Sequence, residues 1–308
     1  MDLRQLSALA AVADAGSFSA AARQLHTVQS NVSTHVARLE RELGATLVDR
    51  STGALTDEGE VVLERARRIR HELDSLRADV ESMLRDVSGT VRLGCLGTVS
   101  RWLVPRLLDL MAERHPLVNV VVVDATTTSL VPQLVAETLD VAVINLPVPG
   151  ADLATEPLFD EDRILLVPLG HPLALHDRVD LATLADHELL LEPRGTPFRD
   201  ELDEQAARIG VTMAVQAEVD GIVLLASLAV EGFGAAMLPA TAAPGKEGGS
   251  SRRVEIDGLA PRSVGLAHPR RGRLSAPARA VCEAVRDLVA DADLPGVHAR
   301  LDVEPGAG

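Results

Sequence analysis

Two cysteines in 308 residues, Cys95 and Cys282, lie too far apart in sequence to suggest a disulfide framework or a metal site. Each sits among apolar neighbours, so both are expected to be reduced and buried. The opening stretch MDLRQLSALAAVADAGSF carries Asp2 and Asp14 and has no apolar run behind a basic start, unlike a signal peptide. The most apolar region, Gly221 to Leu238, is interrupted by Glu231 and several glycines, which excludes a spanning helix. A cytoplasmic protein with no membrane partner is expected. An excess of basic charge is also missing: the net charge is −15. Up to Thr56 the arginines Arg4, Arg23, Arg38, Arg41 and Arg50 are balanced by Asp2, Asp14, Glu40, Glu42 and Asp49. All the surplus acid therefore lies downstream, and any attraction to phosphate must come from a few placed arginines.

A hydrophobic content of 46% with 24% charged residues is that of a soluble globular protein, and the length suits two domains and a connector. In the first regime Leu6, Leu9, Val12 and Ala13 recur at helical spacing, with Gly16 placed as a C-terminal cap and Ser17 as the next N-cap. Ala20, Ala21, Ala22 and Leu25 form a second helix with small side chains for close packing. A short turn follows, with Thr27 expected to cap a third helix. Val32, Val36, Leu39 and Leu43 mark its buried face, and Gly44 ends it. Two helices joined by so short a turn make a helix-turn-helix, whose second helix can enter the major groove. Its outward face holds Ser30, Thr34, Ala37 and Arg41, flanked by Asn31, Ser33, His35 and Arg38, with Gln29 at its start. A merely solvated face usually carries Glu and Lys; this one has no acid before Glu40. Gln and Asn pair with adenine edges, Ser and Thr with several bases, and Arg with guanine or phosphate, so double-stranded DNA is the expected partner. Ser19, Thr27 and Arg50 complete the expected contact set.

From Asp57 to Val87 one long helix is expected, with Ala66, Ile69, Leu73, Leu76, Val80, Met83 and Val87 stepping by three and four. The stripe needs a partner, and its length favours pairing between two copies through Ile69, Leu73, Leu76, Val80 and Met83.

Beyond Ser88, strands alternate with helices. Strands are expected at 91–94, 118–124, 140–146, 163–168, 188–192, 214–219, 253–256 and 263–267. Helices are expected at 102–114, 130–138, 181–185, 198–210, 221–232 and 276–290. The segment 118–124 is apolar throughout, as in a strand covered on both faces. Pro244 to Ser251 reads as a flexible loop and 295–308 as a disordered tail.

The residues quoted so far resemble the LysR-type transcriptional regulators. The resemblance is carried by MDLRQL, by GSFSAAARQLH (Gly16 to His26) and by Val28-Gln29-Ser30-Asn31-Val32-Ser33 at the start of the recognition helix. Leu39-Glu40, Glu42-Leu43-Gly44, Leu47, Arg50, Leu55-Thr56 and Gly59 extend it. Val28-Gln29-Ser30 stands where the family commonly has serine-glutamine-proline. Val48 stands where phenylalanine is frequent, and the wing between Arg50 and Leu55 is short and lacks basic residues. The resemblance implies an all-α winged helix-turn-helix over 1–57 and a dimerising linker helix over 58–87. Over 88–294 it implies a two-lobed α/β effector domain like a type II periplasmic binding protein. Lobe I is expected at about 88–160 and 266–294, and lobe II at about 161–265. It also implies self-association as a dimer or tetramer on promoter DNA, and control by a small-molecule effector, polar or anionic.

Ligands in such folds bind at the carboxyl ends of strands, near helix N-termini. Gly97, Thr98, Val99 and Ser100 follow the first strand, Thr126, Thr127 and Thr128 the second, and Asn145 ends the third. Arg194, Thr196 and Pro197, with Gly221 and Ile222, come from the other lobe, Arg194 as a counter-charge. Any one of these hydroxyls serves equally well as a helix cap; the cluster favours ligand contact. Oxidant-sensing relatives use a close pair of cysteines in the second lobe, and no such pair is present. No Walker loop, HExxH or nucleophile elbow supports an enzyme, and no cofactor is expected. A transport-type binding protein would leave the first 87 residues unexplained.

Overall fold

The computed structural model describes residues 1–300 except 51, 85, 151, 244–248 and 271. The chain opens with three helices, α1 (Leu3–Ala15), α2 (Phe18–Gln24) and α3 (Gln29–Leu43). Asp2 starts α1 as a reciprocal capping box with Gln5, and the Ser17 hydroxyl caps α2. The α3 cap differs from expectation. Val28 holds the cap position with no side-chain bond, while Thr27, one residue early, accepts from Asn31 Nδ2 at 3.0 Å. Leu9, Val12, Ala21, Val32, Val36, Leu39, Leu47 and Val48 form a sealed core. Leu43 was expected on the buried face but, as the last residue of α3, is exposed. The wing is one antiparallel bridge, Val48 to Leu55.

Helix α4 (Asp57–Leu84) begins tight against this wing. The Gly59 amide donates to the Thr56 hydroxyl, and a Cβ on Gly59 would stand 2.1 Å from the Leu47 carbonyl oxygen. Leu63 and Ala66 bury their side chains at this end, and Ala66 joins the core of the first domain.

Beyond α4 lie two sheets. The first runs β12-β4-β11-β3-β1-β2, from β1 (Ser88–Cys95), β2 (Leu117–Asp124), β3 (Val141–Leu146), β4 (Leu153–Glu161), β11 (Arg262–Pro269) and β12 (Val297–Ala299). Helices α5 (Gly97–Arg114) and α10 (Ala276–Ala290) pack on one face, and α6 (Thr127–Val135) covers the other. The second sheet runs β6-β10-β5-β9-β7-β8, from β5 (Arg163–Pro168), β6 (Arg178–Asp180), β7 (Leu189–Leu191), β8 (Val215–Glu218), β9 (Ala235–Pro239) and β10 (Ser251–Asp257). Its faces are covered by α7 (Leu181–Ala185) with α8 (Pro197–Arg208), and by α9 (Ile222–Val230). The chain passes between sheets at Asp162 and returns between Asp257 and Arg262. The sheets thus divide near 162 and 261, where 160 and 265 were expected.

Three expectations change. β2 is an edge strand paired with β1 alone, half of it facing outward, and is not covered on both faces. Strands β4 and β9 lie where none was expected. The tail is ordered through Arg300: β12 pairs antiparallel with β4. Residues 301–308, and 244–248 of the expected loop, lie outside the described residues.

Gly59→Ala should lower stability by about 1–3 kcal/mol, because the new methyl group must displace the Leu47 carbonyl. Urea denaturation checks this, and an unchanged midpoint would contradict the close approach.

Candidate DNA-binding face and ligand cleft

Helix α3 buries Val32, Val36 and Leu39 and leaves Gln29, Ser30, Asn31, Thr34, Arg38 and Arg41 exposed, as the periodicity predicts. The polar groups are partly pre-set. The Ser19 hydroxyl donates to Gln29 Oε1 at 3.1 Å, which occupies the oxygen and leaves the amide N–H groups free. Asn31 spends one N–H on Thr27 and keeps its oxygen. Thr34 donates to the Ser30 carbonyl, so its methyl is the part that can meet a thymine. Arg38 and Arg41 have no hydrogen bond or ion pair among the described residues.

Two expected contacts are placed differently. Arg50 is engaged: it donates to Ser33 Oγ at 3.0 Å and to Glu40 Oε2 at 2.9 Å, and stacks over Phe18. The other Glu40 oxygen accepts the Leu47 and Val48 amides, so Arg50, Ser33 and Glu40 together hold the wing against α3. His35 turns toward α1. It lines a groove of about 310 Å³ with Leu3, Arg4 and Asn31, and its buried Nδ1 has no partner among the described residues.

Helix α4 divides its faces. Along one side it is fastened to lobe I by polar bonds. Arg68 donates to the Val135 and Ala136 carbonyls at the end of α6. His71 Nε2 lies 3.0 Å from the buried Asp140 carboxylate, whose other oxygen accepts the Arg92 amide. Asp79 accepts the Ala276 amide and so caps α10 from outside. The other side bears Ile69, Leu76, Val80 and Met83, with exposures of 40, 63, 51 and 83%, while Leu73 is half-buried. So apolar a stripe facing water is what a second helix would cover.

The expected ligand groups converge only in part. Gly97 to Ser100 form the first turn of α5. Val99 is fully buried in the lobe I core and cannot face a ligand. The Thr98 hydroxyl accepts from Arg262 Nη2 at 2.6 Å. The α5 N-terminus already has a carboxylate beside it: Asp124 accepts from Ser100 Oγ at 3.2 Å, and a Cβ on Gly97 would stand 2.9 Å from its oxygen. The Thr126 hydroxyl bonds those of Thr128 and Ser129, and the Thr127 hydroxyl accepts the Asn145 backbone amide of β3, so these groups are engaged within lobe I although none caps α6. The Asn145 side-chain oxygen is buried and has no partner among the described residues. In lobe II Thr196 caps α8, with Pro197 as its first residue, and Gly221 and Ile222 open α9. Arg194 is largely exposed, 3.9 Å from Asp203.

Sequence reasoning missed the charged centre between the lobes. The fully buried Glu161 carboxylate accepts from Arg262 Nε and Nη2, and from the amide and hydroxyl of Thr241. Burial raises the carboxyl pKa of Glu192, with Arg262 opposing and Asp220 adding to the rise.

The hydrogen bond from His71 to Asp140 raises the imidazole pKa above its ordinary 6.5, against the opposing pull of burial. A raised folded-state value means the stabilisation is full below pH 6.5 and is lost as pH rises through the folded pKa. His71→Gln should therefore destabilise most in mild acid, and the gap to the parent should narrow toward alkaline pH. Thermal melts over that range check it, and a gap that widens with pH would contradict the ion pair.

Residues 3–60 match the model of the bacterial regulatory helix-turn-helix proteins of the lysR family, and residues 85–290 match that of the LysR substrate binding domain. A probable hydrogen peroxide-inducible genes activator of Mycobacterium leprae is 35% identical over 92% of this chain and 93% of its own length. The dual regulator OxyR of Escherichia coli is 28% identical over 79% of this chain and 81% of its own. Among solved structures, CbnR complexed with its target DNA superposes with a TM-score of 0.68 at 26% identity, covering 93% of this chain and 99% of that one. A full-length OxyR of Pseudomonas aeruginosa has the same fold, with a TM-score of 0.75 over 99% of both chains at 24% identity. Two domain models in this order, joined by a fastened linker helix, settle the assignment: the chain belongs to the LysR family, as a DNA-binding transcriptional regulator with an effector-binding domain.

Proposed function

We propose that α3 reads base edges through Gln29, Ser30, Asn31 and Thr34, while Arg38 and Arg41 hold phosphates. The observation that carries this reading is the exposed α3 face, on which Gln29 is aimed by Ser19 and both arginines lack a partner among the described residues. Arg50 and Ser33 serve DNA by holding the wing. Two copies pair through Ile69, Leu73, Leu76, Val80 and Met83 of α4, which sets two reading helices at a fixed spacing. The site of action is the cytoplasm; among the described residues no helix is long and apolar enough to cross a membrane.

The controlling signal is a small polar molecule held between the lobes near Gly97, Ser100, Asn145 and Gly221. Because Asp124 already supplies negative charge beside the α5 N-terminus, a ligand that donates hydrogen bonds suits the cleft better than an anion. Several relatives are named as hydrogen peroxide-inducible activators, as is the one from Mycobacterium leprae. Peroxide attack needs a thiolate, whereas burial pushes the Cys95 and Cys282 thiols up to about 12. Neither thiol is placed to sense an oxidant at neutral pH, which favours control by ligand binding.

Gel mobility shifts on DNA upstream of this chain's own and neighbouring genes test the reading. Gln29→Ala should cost about tenfold or more on the selected fragment and little on random DNA. Arg38→Ala should weaken both alike and reduce the salt slope by about one. Equal loss on both fragments for Gln29→Ala would contradict its role. By light scattering, Leu76→Asp should halve the mass; an unchanged mass would refute pairing through this face.

A further inference from the structure

The last described residues lie against the passage between the lobes. Strand β12 pairs with β4 at Phe159, Asp160 and Glu161, the final residues before the chain crosses into lobe II. The Asp162 amide, at the crossing itself, donates to the Gly296 carbonyl at 2.8 Å. The Asp162 carbonyl in turn accepts the Ala240 amide of lobe II at 2.9 Å. Gly296 stands at φ +79°, and a Cβ there would fall 2.7 Å from Ala240 Cβ, so the segment is pressed onto lobe II. Two side-chain contacts fasten its far end: His298 Nε2 lies 3.0 Å from Asp162 Oδ1, and Arg300 Nε donates to Asp160 Oδ2 at 2.6 Å.

The same short turn of lobe II, Ala240–Ala242, is held from the inside as well. Glu161 takes the Thr241 amide and hydroxyl, and its other oxygen takes Arg262, whose Nη2 also donates to the Thr98 hydroxyl in the first turn of α5 at 2.6 Å. A continuous set of bonds therefore runs from the C-terminal segment, through Asp162 and Ala240, to Thr241, and from there through Glu161 and Arg262 to Thr98 at the start of α5.

We propose that residues 296–300 are a strap that braces the hinge, restraining how far lobe II swings relative to lobe I. The positive φ alone favours glycine at 296, but the approach of its backbone to Ala240 of lobe II is a contact that a strand serving only lobe I would not need. The strap acts on the hinge whether or not a ligand occupies the cleft, so it stands apart from the effector reading.

Hydrogen–deuterium exchange on three full-length-derived proteins tests this: the whole chain, a chain ending at Arg300 and a chain ending at Pro295. Loss of the strap must speed exchange at Asp162, since its acceptor is removed. The informative peptide is 240–243, whose own acceptors, Asp162 and Glu161, remain in every variant. Removing 296–300 should speed its exchange by about tenfold, while the chain ending at Arg300 behaves as the parent. If Asp162 speeds up and 240–243 stays unchanged, the strand is a passive surface addition and the proposal fails. Should the shortest chain not fold, the double variant His298→Ala with Arg300→Ala keeps the full length. It should move 240–243 in the same direction, and no change there would also overturn the brace.

Discussion

The Glu161–Arg262 pair holds together everything downstream of the linker. Glu161 closes β4 and Arg262 opens β11, so their ion pair joins the strand leaving lobe I to the strand returning to it. A carboxylate removed from water is costly unless its lone pairs are occupied. Here four donors converge on it, two from Arg262 and two from Thr241. Loss of one partner would leave an uncompensated buried charge, so the arrangement favours one hinge geometry over the alternatives. Thr98 completes it from α5, and this explains why a hydroxyl that sequence reasoning offered to a ligand is engaged within the protein.

The linker helix relays that geometry outward. Arg68, His71 and Asp79 bind α4 to lobe I at the end of α6, the start of β3 and the start of α10. Its other end shares Ala66 with the core of the first domain and passes close to the Leu47 carbonyl at Gly59. Three separate points of attachment thus fasten α4 along lobe I. The polar side of α4 fastens it within the chain and leaves its apolar stripe exposed.

The first domain was legible almost throughout, because a buried stripe at helical spacing, glycine ends and a polar outer face are local signals. Where reading failed, the deciding fact lay elsewhere in the chain. Val120 to Val123 is an unbroken apolar run, and apolarity alone cannot say that β1 would be its sole neighbour. Thr27 and Val28 both border α3, and Asn31 captures the threonine hydroxyl. β4 holds Pro157 and acidic residues, and β12 is three residues whose partner lies more than a hundred positions earlier. In Phe159-Asp160-Glu161-Asp162-Arg163 nothing local marks Glu161 as the buried carboxylate, since Arg262 selects it. The ligand cleft was the least legible part. Its hydroxyls look alike in sequence, and only the fold separates those capping helices from the unpartnered Asn145 oxygen.

The central claim is a paired DNA reader whose spacing is set by α4. DNase I footprinting on the DNA upstream of its own gene tests it most directly. Two protected half-sites on one face of the duplex, about 10 base pairs or a multiple apart between centres, are the result this account predicts. Protection no different from that on random DNA, or a single isolated site, would contradict it.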